Sequence, residues 1–176
     1  MDNWWEWAFW TETIRGSLHL AAALFALVLG PFILIRRKGD RPHRWLGRLW
    51  ATCLLFVSGS ALIMYDMSSG PNLFHAFAVL SLATLIPGVW AIRKYKQTGG
   101  RRFLVIHQHC MVWAYFGLAS AGVWQIAFTF VRLGYFNVPI GMLHTGLGGL
   151  TAIVSVGLFF LLSGKYPHSA KFAKKL

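Results

Sequence analysis

Seven histidines are the residues of this chain with chemistry to offer, and six of them lie in or at the ends of long apolar runs: His19, His43, His75, His107, His109 and His144. An imidazole inside a membrane-like run is costly enough to count as a functional candidate. Its neutral ring nitrogen is a ligand for haem iron, copper or zinc. His168 stands in a basic tail and reads as solvated. Carboxylates are nearly missing from the runs, with Asp66 only at an edge. Proton-relay or carboxylate-ligated metal chemistry therefore has little material.

The elements that must position these rings are membrane helices. The 176 residues are 56% hydrophobic and only 12% charged, against roughly 25% charged in soluble domains. A spanning helix needs about 20 mainly apolar residues, and five stretches qualify: 16–35, 43–64, 73–92, 103–131 and 139–163. Their breaks carry Lys38-Gly39-Asp40 with Pro42, Ser68-Ser69-Gly70-Pro71, Gln97-Thr98-Gly99-Gly100 and Asn137-Val138-Pro139, all turn or helix-stop chemistry. Pro87 followed by Gly88 should kink the third helix. The fold class expected is an all-α integral membrane bundle, a four-helix core plus a fifth helix, in one domain over 1–176. Its first 15 residues form a tryptophan-rich interfacial segment, and 164–176 a basic tail.

Charge orients the chain. Of 17 Lys and Arg residues, 15 flank the first and third connections or lie in the tail, leaving Arg15 and Arg132 on the other side. The positive-inside rule makes the basic side cytoplasmic, N-terminus out and C-terminus in. That rule accounts for the formal net charge of +12, and no cluster has the polar segment interleaved with aromatics that a nucleic-acid module needs. Membrane lipid is the expected partner, not nucleic acid. Cys53 and Cys110 fall inside apolar runs, where cysteine behaves as a small hydrophobe.

Alternating helix direction then sorts the histidines by depth. His19, His75 and His144 come near the outer face and His43, His107 and His109 near the cytoplasmic face; at about 1.5 Å per residue the layers are ~25 Å apart. His107 shares a helical face with Cys110, Ala114, Gly117 and Ala121, whereas His109 shares one with Trp113 and Phe116. His19 lies on a stripe of Gly16, Ala23, Ala26 and Gly30. Small residues beside a histidine either leave room for a flat ligand or let a second helix approach closely.

A flat ligand held by histidines of two facing helices is a b-type haem. The expectation is two sites, His19 with His75 and His43 with His107, in an electron carrier that exchanges with membrane quinone or a redox partner protein. In arrangement alone this resembles the cytochrome b561 class, which holds one haem near each face of a four-helix core. The alternative is a Cu or Zn site of His19, His75 and His144, with His109 a weaker candidate and Met64, Met67 and Met142 at similar depth as soft donors. Such a site would suit a factor that assembles a metalloenzyme. A structural subunit of a larger membrane complex would need none of these residues, and whether the chain is an enzyme stays open.

The run LHLAAALFALVLGPFILIRRKGDRPHRWLGRLW, with His19, Gly30-Pro31, His43-Arg44 and Gly47-Arg48, resembles an uncharacterised bacterial family of small membrane proteins, a domain of unknown function. The similarity continues through His75, Ser81-Leu82, His107, Met111, Ala121-Gly122 and Arg132, covering about residues 16 to 133. His144 and the doublet His107-Gln108-His109 depart from it. The resemblance implies a multi-pass protein of the bacterial inner membrane and selects His19, His43, His75 and His107 without naming a ligand.

Overall fold

A computed structural model describes residues 14–64 and 72–132 together with Gly134, Gly146, Leu150 and Thr151. The described part of residues 1–135 is four helices: α1 (Ile14–Ile35), α2 (Arg41–Ile63), α3 (Leu73–Thr98) and α4 (Arg101–Arg132). Residues 136–176 form a second unit, of which the described Gly146, Leu150 and Thr151 are helical. Apart from those three residues the expected fifth span lies outside the described residues, as do His144, Met142, Met67, Asp66, the tryptophan-rich N-terminus to residue 13 and the basic tail.

All four helices are long and apolar enough to cross a membrane. Their outward faces agree with that solvent: Val28 is 76% exposed and Ile63 71%. Apolar area of this kind, displayed all round a bundle, is what lipid requires and water penalises. α1 packs on α2, α2 on α3, α3 most extensively on α4, and α4 more lightly back on α1. The helices thus close a ring in sequence order, with α1 and α3 on one diagonal and α2 and α4 on the other. The connections α1–α2 and α3–α4, which carry Arg36 to Arg48 and Arg93 to Arg102, fall at one end of this up-and-down bundle, here called the basic end.

Local chemistry sets the helix ends. α2 starts at Asp40, whose Oδ1 accepts the His43 N–H at 2.7 Å, with Pro42 in the first turn, where a missing N–H costs nothing. α3 starts at Asn72, whose Oδ1 accepts the N–H groups of Phe74 and His75 at 3.0 and 3.3 Å. It stops at Gly99, in left-handed conformation at φ 68° with its N–H donating to the Tyr95 carbonyl at 2.8 Å, a position that favours glycine. α3 runs six residues beyond the apolar stretch that defines it in the sequence. Arg93, Lys94 and Lys96 continue the helix because loss of hydrophobicity ends the membrane core, not the backbone hydrogen bonding. It is continuous through Pro87.

The core of the bundle comprises Ala26 and Ile33 of α1, Trp50, Leu54 and Val57 of α2, Leu85 of α3, and Ala114 and Leu118 of α4. At its centre α1 contains Pro31. Proline has no N–H to offer the carbonyl four residues back, which is Leu27. The Tyr115 hydroxyl of α4 donates to that carbonyl at 3.3 Å, and the Trp50 indole N–H of α2 donates to the neighbouring Ala26 carbonyl at 3.0 Å. Gly30 has no side chain to keep these two rings away; a Cβ there would collide with the Tyr115 ring. Three helices are tied together at one turn, and a backbone group stranded in a medium without water is satisfied.

Candidate functional site

The end of the bundle opposite the basic end contains a cleft of about 220 Å³ with walls from all four helices. His19 and Ala23 line it from α1, Ser58 and Ala61 from α2, Asn72 and Ala78 from α3, and Ala121 and Gln125 from α4. Its floor is the top of the hydrophobic core, Leu54, Val57 and Leu118. The surface is mostly hydrocarbon with a few polar groups, the usual composition of a small-molecule or cofactor site. Met64, at the end of α2, is on the same wall.

The small-residue stripes therefore divide in two. Ala23 and Ala121 line the cleft, and Gly117 borders it too. Gly117 also belongs to the packing seams: a Cβ on it would meet the Ser81 hydroxyl, one on Gly88 would meet Met111 and Cys110, and one on Gly30 would meet Tyr115. Ala26 and Ala114 are fully buried. Of the two meanings that small residues carry in a membrane, close helix approach accounts for most of these positions.

Each described histidine on α1, α3 and α4 has its Nδ1 engaged. His19 Nδ1 lies 2.7 Å from Ser60 Oγ of α2. Ser60 directs its hydroxyl at the Phe56 and Val57 carbonyls of its own helix, at 2.8 and 3.0 Å. Its one proton is spent there, so its oxygen accepts and His19 Nδ1 carries hydrogen. His107 Nδ1 is 2.8 Å from the Gly88 carbonyl of α3, an acceptor only, so it donates. His109 Nδ1 donates at 2.9 Å to the Val105 carbonyl of its own helix, on an exposed side. His75 Nδ1 lies 2.8 Å from Asn72 Oδ1 and 3.3 Å from the Asn72 N–H. Those two contacts need opposite tautomers, and Asn72 Oδ1 already accepts two backbone N–H groups, so the cap holds the His75 ring without fixing which nitrogen carries the proton. In His19, His107 and His109, Nε2 is then the lone-pair nitrogen. A protein acceptor on one ring nitrogen that fixes the other as a ligand is how metal-binding histidines are held.

The sites named from the sequence fall as follows. His19 lines the cleft, and His75 is buried beside Asn72 and Phe74, which line it. These two are on diagonal helices. His43, in the first turn of α2, and His107, on the diagonal α4, are within electrostatic reach of each other at the basic end. His109 is tied to its own helix. Among the described residues no group of three His, Cys, Asp or Glu side chains is placed to hold a metal ion; the His19, His75 and His144 set extends outside them. Sequence reasoning missed Ser60 and Asn72, which orient His19 and His75. Asn72 just before an apolar run is a readable cap signal, whereas Ser60 is polar in a span with nothing local to mark its partner 41 residues away.

A ring of four apolar helices, each long enough to cross a bilayer, defines a multi-pass membrane protein. Residues 16–163 match the family model described as predicted membrane protein DUF2306, and the chain belongs to that family. No curated protein and no solved structure matches it.

Proposed function

We propose that this protein is a membrane electron carrier that holds two b-type haems, one between His19 and His75 and one between His43 and His107. The observation that supports it best is the pair of Nδ1 bonds at His19 and His107, which make Nε2 the lone-pair nitrogen of each ring, with the His75 ring held in place by the Asn72 cap. The pairs lie on the two diagonals of the ring, and the end that holds His19 and His75 has the cleft between its helices. The donor set fits haem, which takes two neutral imidazoles. Bound haem would supply a reversible one-electron iron couple near each membrane face.

The remaining work falls to the chain. Ser60, Asn72 and the Gly88 carbonyl fix ring orientation, and the two acceptors, Ser60 and Gly88, raise the basicity of their imidazoles. The cleft walls are mostly hydrocarbon, and Leu54, Val57 and Leu118 separate the two ends. The basic end is taken as cytoplasmic by the positive-inside rule, in a bacterial inner membrane, and quinone or a partner protein as the exchange partner at a face. A cytoplasm-only reporter placed between Gly99 and Gly100 should be active; activity only of a periplasmic reporter would invert this orientation.

Haem is tested by a reduced-minus-oxidised spectrum of protein purified from haem-supplied cells. Soret and α bands are expected, and their absence would sink the reading. His19→Ala and His43→Ala should each remove about half of the signal, whereas spectra equal to wild type would show that the pairing is wrong.

A further inference from the structure

His43 is the exception to the Nδ1 pattern. Its Nδ1 is shielded from solvent and has no hydrogen-bond partner among the described residues, and the same is true of Arg36 Nε. Arg36 directly follows α1 and His43 is in the first turn of α2, both at the basic end. The one carboxylate nearby is turned to other groups: Asp40 Oδ1 accepts the His43 backbone N–H at 2.7 Å and Oδ2 accepts from Arg36 Nη2 at 3.3 Å. Lys38 directs its ammonium at the Ile33 and Leu34 carbonyls at the end of α1. The groups within electrostatic reach of His43 are Arg36, Lys38, His107 and Asp40, so basic side chains outnumber the acid. Two shielded nitrogens in a mainly positive surround are an arrangement that an anionic oxygen would satisfy.

We infer that Arg36 and His43 form a binding site for an oxyanion, a carboxylate or phosphate, carried on an amphiphile at the membrane boundary, with Arg36 Nε–H and His43 Nδ1–H as its donors. Two amphiphiles present that chemistry: a haem through its propionate and an acidic phospholipid through its phosphate. The haem arm rests on the function proposed above; the lipid arm does not. In the haem arm the anion gives His43 the outer acceptor that Ser60 gives His19 and the Gly88 carbonyl gives His107.

The test compares wild type with Arg36→Gln and Arg36→Lys in two titrations. In the first, apoprotein takes up haemin or haemin dimethyl ester, whose propionates are blocked. In the second, thermal unfolding is followed in detergent with phosphatidylglycerol or phosphatidylcholine added. The expected result is at least a tenfold preference for haemin over the ester, or a rise in unfolding temperature specific to phosphatidylglycerol. Arg36→Gln should abolish that preference or rise, and Arg36→Lys, which keeps the charge without the Nε–H, should reduce it. If neither haem form binds any variant, the haem proposal fails while the phosphatidylglycerol response still decides this site. Preference and lipid response both unchanged in Arg36→Gln would overturn the inference, and Arg36→Lys decides in the same way if the Gln variant does not fold.

Discussion

The Tyr115 hydroxyl donates to the Leu27 carbonyl across 88 residues of sequence, and Leu27 is the carbonyl that Pro31 leaves without its helical donor. The bond repairs a proline defect. Tyr115→Phe should lower stability by about 0.5–1.5 kcal/mol, the range for a hydrogen bond between membrane helices. Pro31→Ala supplies the missing N–H, so the same Tyr115→Phe change in a Pro31→Ala background should cost markedly less. Unfolding in mixed micelles measures the cycle; additive losses would mean that the hydroxyl does not serve this carbonyl.

That repair also marks the limit of what the sequence conveys. The spans were legible because a bilayer demands runs of about 20 apolar residues, and the turns because Gly39, Asp40 and Gly99 have local stereochemical reasons to be there. Gly30-Pro31 was visible as a pattern. Its purpose was not, since the residues that use it, Trp50 and Tyr115, are on two other helices. The alanine and glycine stripes were ambiguous for the same reason: Gly117 and Ala121 lie one turn apart on α4 and both border the cleft, yet at the first a Cβ would run into Ser81 of α3. Depth follows from counting residues along a helix, whereas a neighbour across the bundle does not.

Gly117 and Gly59 provide a matched pair for that distinction. A Cβ on Gly117 would run into the Ser81 hydroxyl and sit 3.3 Å from the Phe77 carbonyl, while one on Gly59 meets nothing within 4 Å. Overpacking a tight contact typically costs 1–3 kcal/mol, and alanine is better than glycine in a helix by roughly 0.8–1 kcal/mol. Gly117→Ala should therefore destabilise the bundle, and Gly59→Ala should leave it unchanged or slightly more stable. Equal behaviour of the two variants in thermal unfolding would contradict the α3–α4 seam.

Asp40 gives the basic end a pH response. The His43 backbone N–H holds its carboxyl below the usual carboxylate range; partial desolvation opposes this, and the Arg36 charge and hydrogen bond add to it. Because the folded value is lowered, the stabilisation is fully present above the unfolded value near about 4 and is lost as pH falls through the folded one. Asp40→Asn keeps the cap geometry and removes the charge. Wild type should unfold at a higher temperature than Asp40→Asn at neutral pH, with the gap closing as the pH is lowered below 4. A gap that persists or widens in acid would show that the charge is not what stabilises the turn.

Ser60 connects this packing to the proposed function. Its oxygen receives the His19 Nδ1 proton at 2.7 Å because its own proton is committed to the Phe56 and Val57 carbonyls. Ser60→Ala removes the acceptor without touching the cleft wall, so His19 can turn and exchange tautomers. Loss of such an outer acceptor typically lowers ligand affinity 10–100-fold. The half of the haem signal that depends on His19 should weaken by that order and shift in midpoint potential, while the half that depends on His43 stays as it is. Ser60→Thr, which restores a hydroxyl at the same place, should recover most of the affinity. A spectrum, midpoint and haem retention in Ser60→Ala indistinguishable from wild type would mean that His19 is not positioned through Ser60, and the tautomer argument would then lose its strongest case.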